Sequence, residues 1–251
     1  VAFSWSNTCE GSSGTAVSTA NTAGPVQFSA VTVSGTGASL NFSNAQKFSG
    51  STALLATIGS VAGAAYPQWN LASAVTTCYA RQFVYLPAAV PASGFRIFAY
   101  YDSTGSSHRA SVFITSAGVL QTVNAAFAQV ALGTHSIPTG QWARVEFDCT
   151  GDAAAGVVTT RLYLTANSPT ADETLSNTAQ ATGGTIGQCL FGAFDSEVSW
   201  SWYMDSLAIS DQGPIGPEAT LVSGTDTASG AEPASPVIKG FPSTARQWIY
   251  R

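Results

Sequence analysis

The chain is written almost end to end in short apolar runs that alternate at period two, separated by Gly, Ser, Asn and Thr. That period places successive side chains on opposite faces of an extended strand, whereas a helix needs apolar residues every three or four positions. Val26 to Val33 alternates, Ser34-Gly35-Thr36-Gly37 supplies turn residues and Ala38 to Phe42 resumes, which predicts a hairpin. Cys78 to Leu86 reads as a longer strand stopped by Pro87. Phe95 to Tyr101 and His108 to Thr115 flank the polar loop Asp102 to Ser107, and Val119 to Val123 follows a turn at Ala117-Gly118. Trp142 to Cys149 and Val157 to Leu164 flank a loop of small residues, and Ser199 to Ser210 is the last strong run. No long 3.6-period stripe occurs, and at most a turn or two of helix is expected near Asn70 to Val75. Many strands joined by such turns predict an all-β fold, a two-sheet antiparallel sandwich over residues 1–212.

Composition shifts after Asp211. Gly213-Pro214-Ile215-Gly216-Pro217 stops the last strand, and Pro, Gly, Ser and Ala dominate as far as Pro236. Proline cannot donate to a sheet ladder, so 213–251 is expected to be an extended C-terminal arm. The arm ends in Phe241, Trp248, Ile249 and Tyr250, an aromatic end expected to dock on its own domain, a second copy or a neighbouring protein.

Hydrophobic residues make up 45% of the chain, enough for a sizeable core, but only 9% of residues are charged and the net charge is −5. Lys and Arg total 9 and are scattered, which excludes an electrostatic nucleic-acid binder. No stretch approaches the ~18 consecutive apolar residues of a spanning helix, so no membrane insertion is expected. Val1 to Trp5 lacks the basic and apolar regions of a signal peptide, and also a Met, and is read as trimmed or as cut from something longer. Cys9, Cys78, Cys149 and Cys189 lie far apart with no CxxC, which argues against zinc; four cysteines permit three disulfide pairings, but a chain this size needs none of them and buried free thiols are expected.

His108 and His135 belong to no nucleophile, zinc or phosphate motif and are read as surface or loop residues. Asp195 and Glu197, two apart, would share a strand face and could act as acid and base on a glycosidic bond, with Trp200 and Trp202 stacking on sugar rings. The alternative is a polar loop followed by core tryptophans. Trp142, Arg144, Glu146 and Asp148 share the face opposite Ala143, Val145, Phe147 and Cys149, and are read as an exposed salt-bridge ladder. Asp102 or Asp152 could hold calcium with loop carbonyls, although one carboxylate per loop is a weak trap; no other metal or cofactor is expected. Tyr100, Tyr101 and Asp102, with Arg109 returning along the hairpin, would form a shallow glycan-binding rim.

Two stretches carry a resemblance. Gly140-Gln141-Trp142-Ala143-Arg144-Val145-Glu146-Phe147 resembles the G-x-W-x-R-x-E strand of concanavalin A-like and laminin-G-like jelly rolls, and Trp202 to Ser210 resembles their closing Y-x-D-x-L-x-I strand. Gly213 to Pro217 is similar to the ending of such domains in minor tail proteins of actinobacterial phages. The resemblance covers about Phe3 to Pro217 and implies a jelly roll that often binds glycans; Asp205 would be structural. It does not imply catalysis, because Asp195-Ser196-Glu197 departs from the E-x-D-x-x-E strand of the glycoside hydrolases on this fold. Three functions compete: a non-enzymatic virion surface protein (tail or capsid decoration) adhering to host-surface glycan and attached through its arm to other virion proteins or copies of itself; a secreted carbohydrate-binding module; and a glycan hydrolase or lyase.

Overall fold

A computed structural model of the protein describes residues 2–22, 26–59, 63–196 and 199–218, with side chains of 193–196 excepted. Glu197 and the expected docking residues Phe241, Trp248, Ile249 and Tyr250 lie outside the described residues. The described part is all strand and turn, arranged in two antiparallel sheets that form a jelly-roll sandwich.

One sheet runs β13 (Glu173–Gln180), β12 (Gly156–Tyr163), β11 (Trp142–Thr150), β6 (Thr77–Tyr85), β15 (Trp200–Ser210), β4 (Ala53–Ile58), β3 (Ser39–Ser43). Its eighth strand, β1 (Ser4–Asn7), pairs with the second half of β15. The other, seven-stranded sheet runs β10 (Gln129–Ser136), β9 (Val119–Val123), β8 (His108–Ile114), β7 (Phe95–Tyr101), β14 (Ile186–Ser196), β5 (Gly63–Val75), β2 (Ala30–Ser34). The segment expected to form a turn of helix, Asn70 to Val75, is instead the end of β5. Ladders with β2 and β14 engage β5 on both sides, and Ala65, Trp69 and Leu71 face inward at period two.

The core lies between the sheets. Ala143, Val145, Phe147 and Cys149 of β11 point into it, as their alternation predicts, and meet Phe98 and Tyr100 of β7. Trp69 contacts Phe28 and Phe191, and Trp202 packs on Phe95. Tyr100 is therefore no rim residue: it is fully buried, and its ring stacks on Phe147 with centroids 4.9 Å apart. Its hydroxyl donates to the Phe147 carbonyl at 2.8 Å, with the Cys78 carbonyl 3.3 Å away. The side chain thus pins one sheet to the other. Adjacent residues on a strand face opposite ways, so a Tyr-Tyr pair must split between core and surface.

The exposed salt-bridge ladder is also corrected. The alternation of β11 is as read, but its outward face is covered, and Arg144, Glu146 and Asp148 are buried. Arg144 donates to the carbonyls of Ala166 (2.7 Å) and Ser168 (2.8 Å), lies 3.0 Å from Glu146 and stacks over Tyr163. Asp148 pairs with Arg161. The 164–172 segment forms one part of this cover and the 44–52 segment the other, Phe48 stacking on Phe83 at 3.8 Å.

Asp205 secures the second cover. Pairing passes from Asp205↔Phe83 to Ala208↔Arg81, so Ser206 and Leu207 oppose one residue in a β-bulge, with Ser206 at φ 47°. The Asp205 carboxylate accepts the backbone N–H groups of Phe48 (2.8 Å), Ser49 (3.2 Å) and Ser206 (2.7 Å). Arg81 donates to the Ser206 carbonyl and to Gly216, tying down the segment after the last strand.

Two predictions follow from this packing. Burial, only partly offset by three N–H donors, pushes the Asp205 carboxyl up to about 7, and burial raises Asp148 to about 6 against the pull of Arg161. A raised folded-state value means that the folded chain binds more protons than the unfolded chain between about pH 4 and 7. Stability is then greatest at the acid end of that window and declines as pH rises through it. Thermal melts should give a higher Tm at pH 5 than at pH 8, with a smaller difference in Asp205→Asn. Separately, Tyr100→Phe strands a buried carbonyl and should destabilise by about 1–2 kcal/mol, seen in denaturant unfolding, without affecting ligand binding.

Candidate functional site

With the outer face of the eight-stranded sheet partly covered, the outer face of the seven-stranded sheet offers a groove of about 280 Å³. Tyr66 and Gln68 face it from β5, because Ala65, Pro67 and Trp69, which alternate with them, are turned to the core. Gln188 and Leu190 face it from β14, and Arg96 and Tyr101 from β7. The register places Gln188 between Asn70 on one side and Tyr101 on the other. Gly105 closes one end: it has φ 74°, and a Cβ there would lie 2.9 Å from the Gln188 side chain. Glycine therefore lets the 102–107 loop approach the groove closely.

A polar chain continues from the groove along the sheet. Arg96 is only 5% exposed, and its Nη1 donates to the Tyr101 hydroxyl at 3.1 Å and lies 3.5 Å from Ser111 Oγ. Ser111 Oγ meets His108 Nε2 at 2.5 Å, and His108 Nδ1 is 3.3 Å from the Ala125 carbonyl. The guanidinium sits over the rings of Phe113 and Phe127, 5.7 and 5.4 Å from their centroids. Aromatic faces, side-chain amides and one cation are thus held by strands and by each other, an arrangement suited to orienting a hydroxyl-rich ligand.

Of the residues expected at the site, Tyr101 lines the groove. Asp102 stands at its rim in an exposed loop, and its carboxylate accepts Thr104 Oγ1, Ser106 N and Ser107 N, bonds that hold its carboxyl down at about 2. Asp152, the other calcium candidate, similarly accepts Ala154 N and Ala155 N. Both carboxylates close their own loops, and among the described residues no group of three His, Cys, Asp or Glu is placed to hold a metal. Arg109 falls at a register shift and donates to the Thr185 carbonyl at 3.0 Å rather than lining the groove. Asp195 is in β14, and Trp200 is half-buried with its ring 4.5 Å from Phe95, so it belongs to the packing between the sheets and not to a sugar platform. His108 is not a surface residue: it is buried beneath Phe127. His135 is exposed beside Glu173, and all four cysteines are buried and free.

Sequence reasoning missed Arg96, Tyr66, Gln68, Gln188 and Phe127. One signal for Arg96 was present, a lone cation inside the apolar run Phe95 to Tyr101. The glutamines carried none, since an outward-facing polar residue on a strand looks the same on any face.

No family model matches the chain, and no curated protein does. Solved structures do match. Cellulose-induced protein Cip1 is similar at TM-score 0.54 and 15% identity, over 74% of this chain and 93% of that one. A protein of unknown function from Shewanella oneidensis MR-1 is similar at TM-score 0.53 and 14% identity, over 83% of this chain and 87% of that one. An alginate lyase from a Chlorella virus matches at TM-score 0.48 and 9% identity, over 71% and 90% of the two chains. At these identities the likeness is one of fold alone, a two-sheet antiparallel jelly-roll sandwich.

Proposed function

We propose that the chain is a non-enzymatic, glycan-binding jelly roll that holds a sugar chain in the groove of its seven-stranded sheet. The observation that carries this reading is the placing of Tyr66 and Tyr101 with Gln68 and Gln188 around one shallow hollow. A sugar ring presents C–H groups on its faces and hydroxyls at its edge, so it is matched by aromatic rings beside side chains that both donate and accept hydrogen bonds. The name of one similar structure, a cellulose-induced protein, links that protein to a polysaccharide.

Within this reading the protein serves adhesion on a virion surface. Support comes from the similarity of Gly213 to Pro217 to phage tail-protein endings, and from the aromatic end of the arm, which would attach the domain to other virion proteins or to copies of itself. A shallow site binds weakly, and an array of copies supplies avidity. A secreted carbohydrate-binding module would use the same groove without needing the arm.

The test is a glycan array probed with a multivalent form of the full chain, together with an assay for soluble products. Binding to at least one glycan is expected, reduced about tenfold, about 1.4 kcal/mol, by Tyr101→Ala and by Gln188→Ala, with no product released. A blank array, or variants that bind as well as the parent, would overturn the groove as the site; product release lost in Tyr101→Ala would make the protein an enzyme.

A further inference from the structure

Phe127 lies beyond the groove, in the turn Asn124-Ala125-Ala126-Phe127-Ala128 between β9 and β10. It is 50% exposed and holds φ 58°, in the left-handed region that bulky side chains avoid and glycine accepts freely. The turn does not require the phenyl ring. Asn124 closes it, its carbonyl accepting Phe127 N at 2.9 Å and its side chain accepting the N–H groups of Ala126 and Ala128. A glycine at 127 would suit this backbone better, so the sequence keeps an exposed ring where local conformation argues against one.

The ring is also aimed. It lies parallel to the His108 imidazole, 4.0 Å away at 5°, and His108 is fixed by Ser111 and the Ala125 carbonyl. On the groove side, Tyr101 meets His108 edge-on at 5.5 Å, and Arg96 reaches both Tyr101 and Phe127. Phe127, resting on the buried His108, and Tyr101 thus continue the groove across the sheet. On the next strand, Gln121 lies opposite Phe113 and donates to Gln129 at 2.9 Å, placing two exposed amides on the same part of the sheet.

We infer that Phe127 is a sugar-stacking platform, which takes the C–H face of a hexopyranose ring of a neutral polysaccharide whose neighbouring residues occupy the groove. The inference rests on the glycan reading of that groove. It extends the site from one hollow to a row of contacts that neighbouring sugars of one chain would share.

The test is affinity electrophoresis of the full chain in gels carrying mixed-linkage β-glucan, galactomannan or glucomannan, alongside thermal melts. Wild-type protein should be retarded by at least one polymer. Phe127→Gly should lose at least tenfold in affinity while its Tm stays level or rises, and Phe127→Trp should keep binding. Undiminished binding by Phe127→Gly, or a marked fall in its Tm, would overturn the platform alone, the latter making the ring a structural lid over His108. Failure of the wild-type chain to bind any of the three would overturn the platform for a neutral polysaccharide, whereas the groove reading falls only with a blank glycan array.

Discussion

Three backbone N–H groups converge on the Asp205 carboxylate, two of them from a segment more than 150 residues earlier in the chain. That junction holds Phe48 against Phe83 and keeps the 44–52 segment over the outer face of the eight-stranded sheet. The closing of this face has two effects. The charged row Arg144, Glu146, Asp148 and Arg161 is taken out of water, where its members must satisfy one another and the loop carbonyls. The seven-stranded sheet, meanwhile, is left with an open polar and aromatic outer face. Such a division of labour, one sheet partly covered and one presented, bears on where a ligand can meet the fold.

Alternation within a strand was legible from the residues, and so was the sandwich. The face assignments of β11 were right position by position. What alternation cannot say is whether the face away from the core meets water. For β11 that depends on the 44–52 and 164–172 segments, and the contacts that place them come from Asp205 and Arg144, far apart in sequence. The same limit explains Trp200, whose neighbour Phe95 lies on the other sheet, and His108, which looks like a loop residue until the next hairpin folds Phe127 over it. The Tyr100-Tyr101 pair was noticed for the right reason and half misjudged: strand geometry gives one ring to the core and the other to the groove.

The groove itself is assembled from three strands distant in the chain, β5, β14 and β7. Each contributes residues that are unremarkable in their own segment. Only the ladder register, with Gln188 between Asn70 and Tyr101, makes a site of them. Because strands carry most of these side chains and the core behind them is filled by Trp69, Phe98 and Phe191, the site is organised before any ligand arrives.

The four cysteines have a bearing on where such a domain can operate. All are free and sealed in the interior, and burial pushes Cys78 up to about 12 and the thiols of Cys9, Cys149 and Cys189 upward as well. The reactive species is the thiolate, so these groups are withheld from oxidants and from disulfide exchange by acidity as well as by access. The folded domain thus presents none of these thiols to an external oxidant, and the two that lie opposite each other in register, Cys78 on β6 and Cys149 on β11, are enclosed in the core.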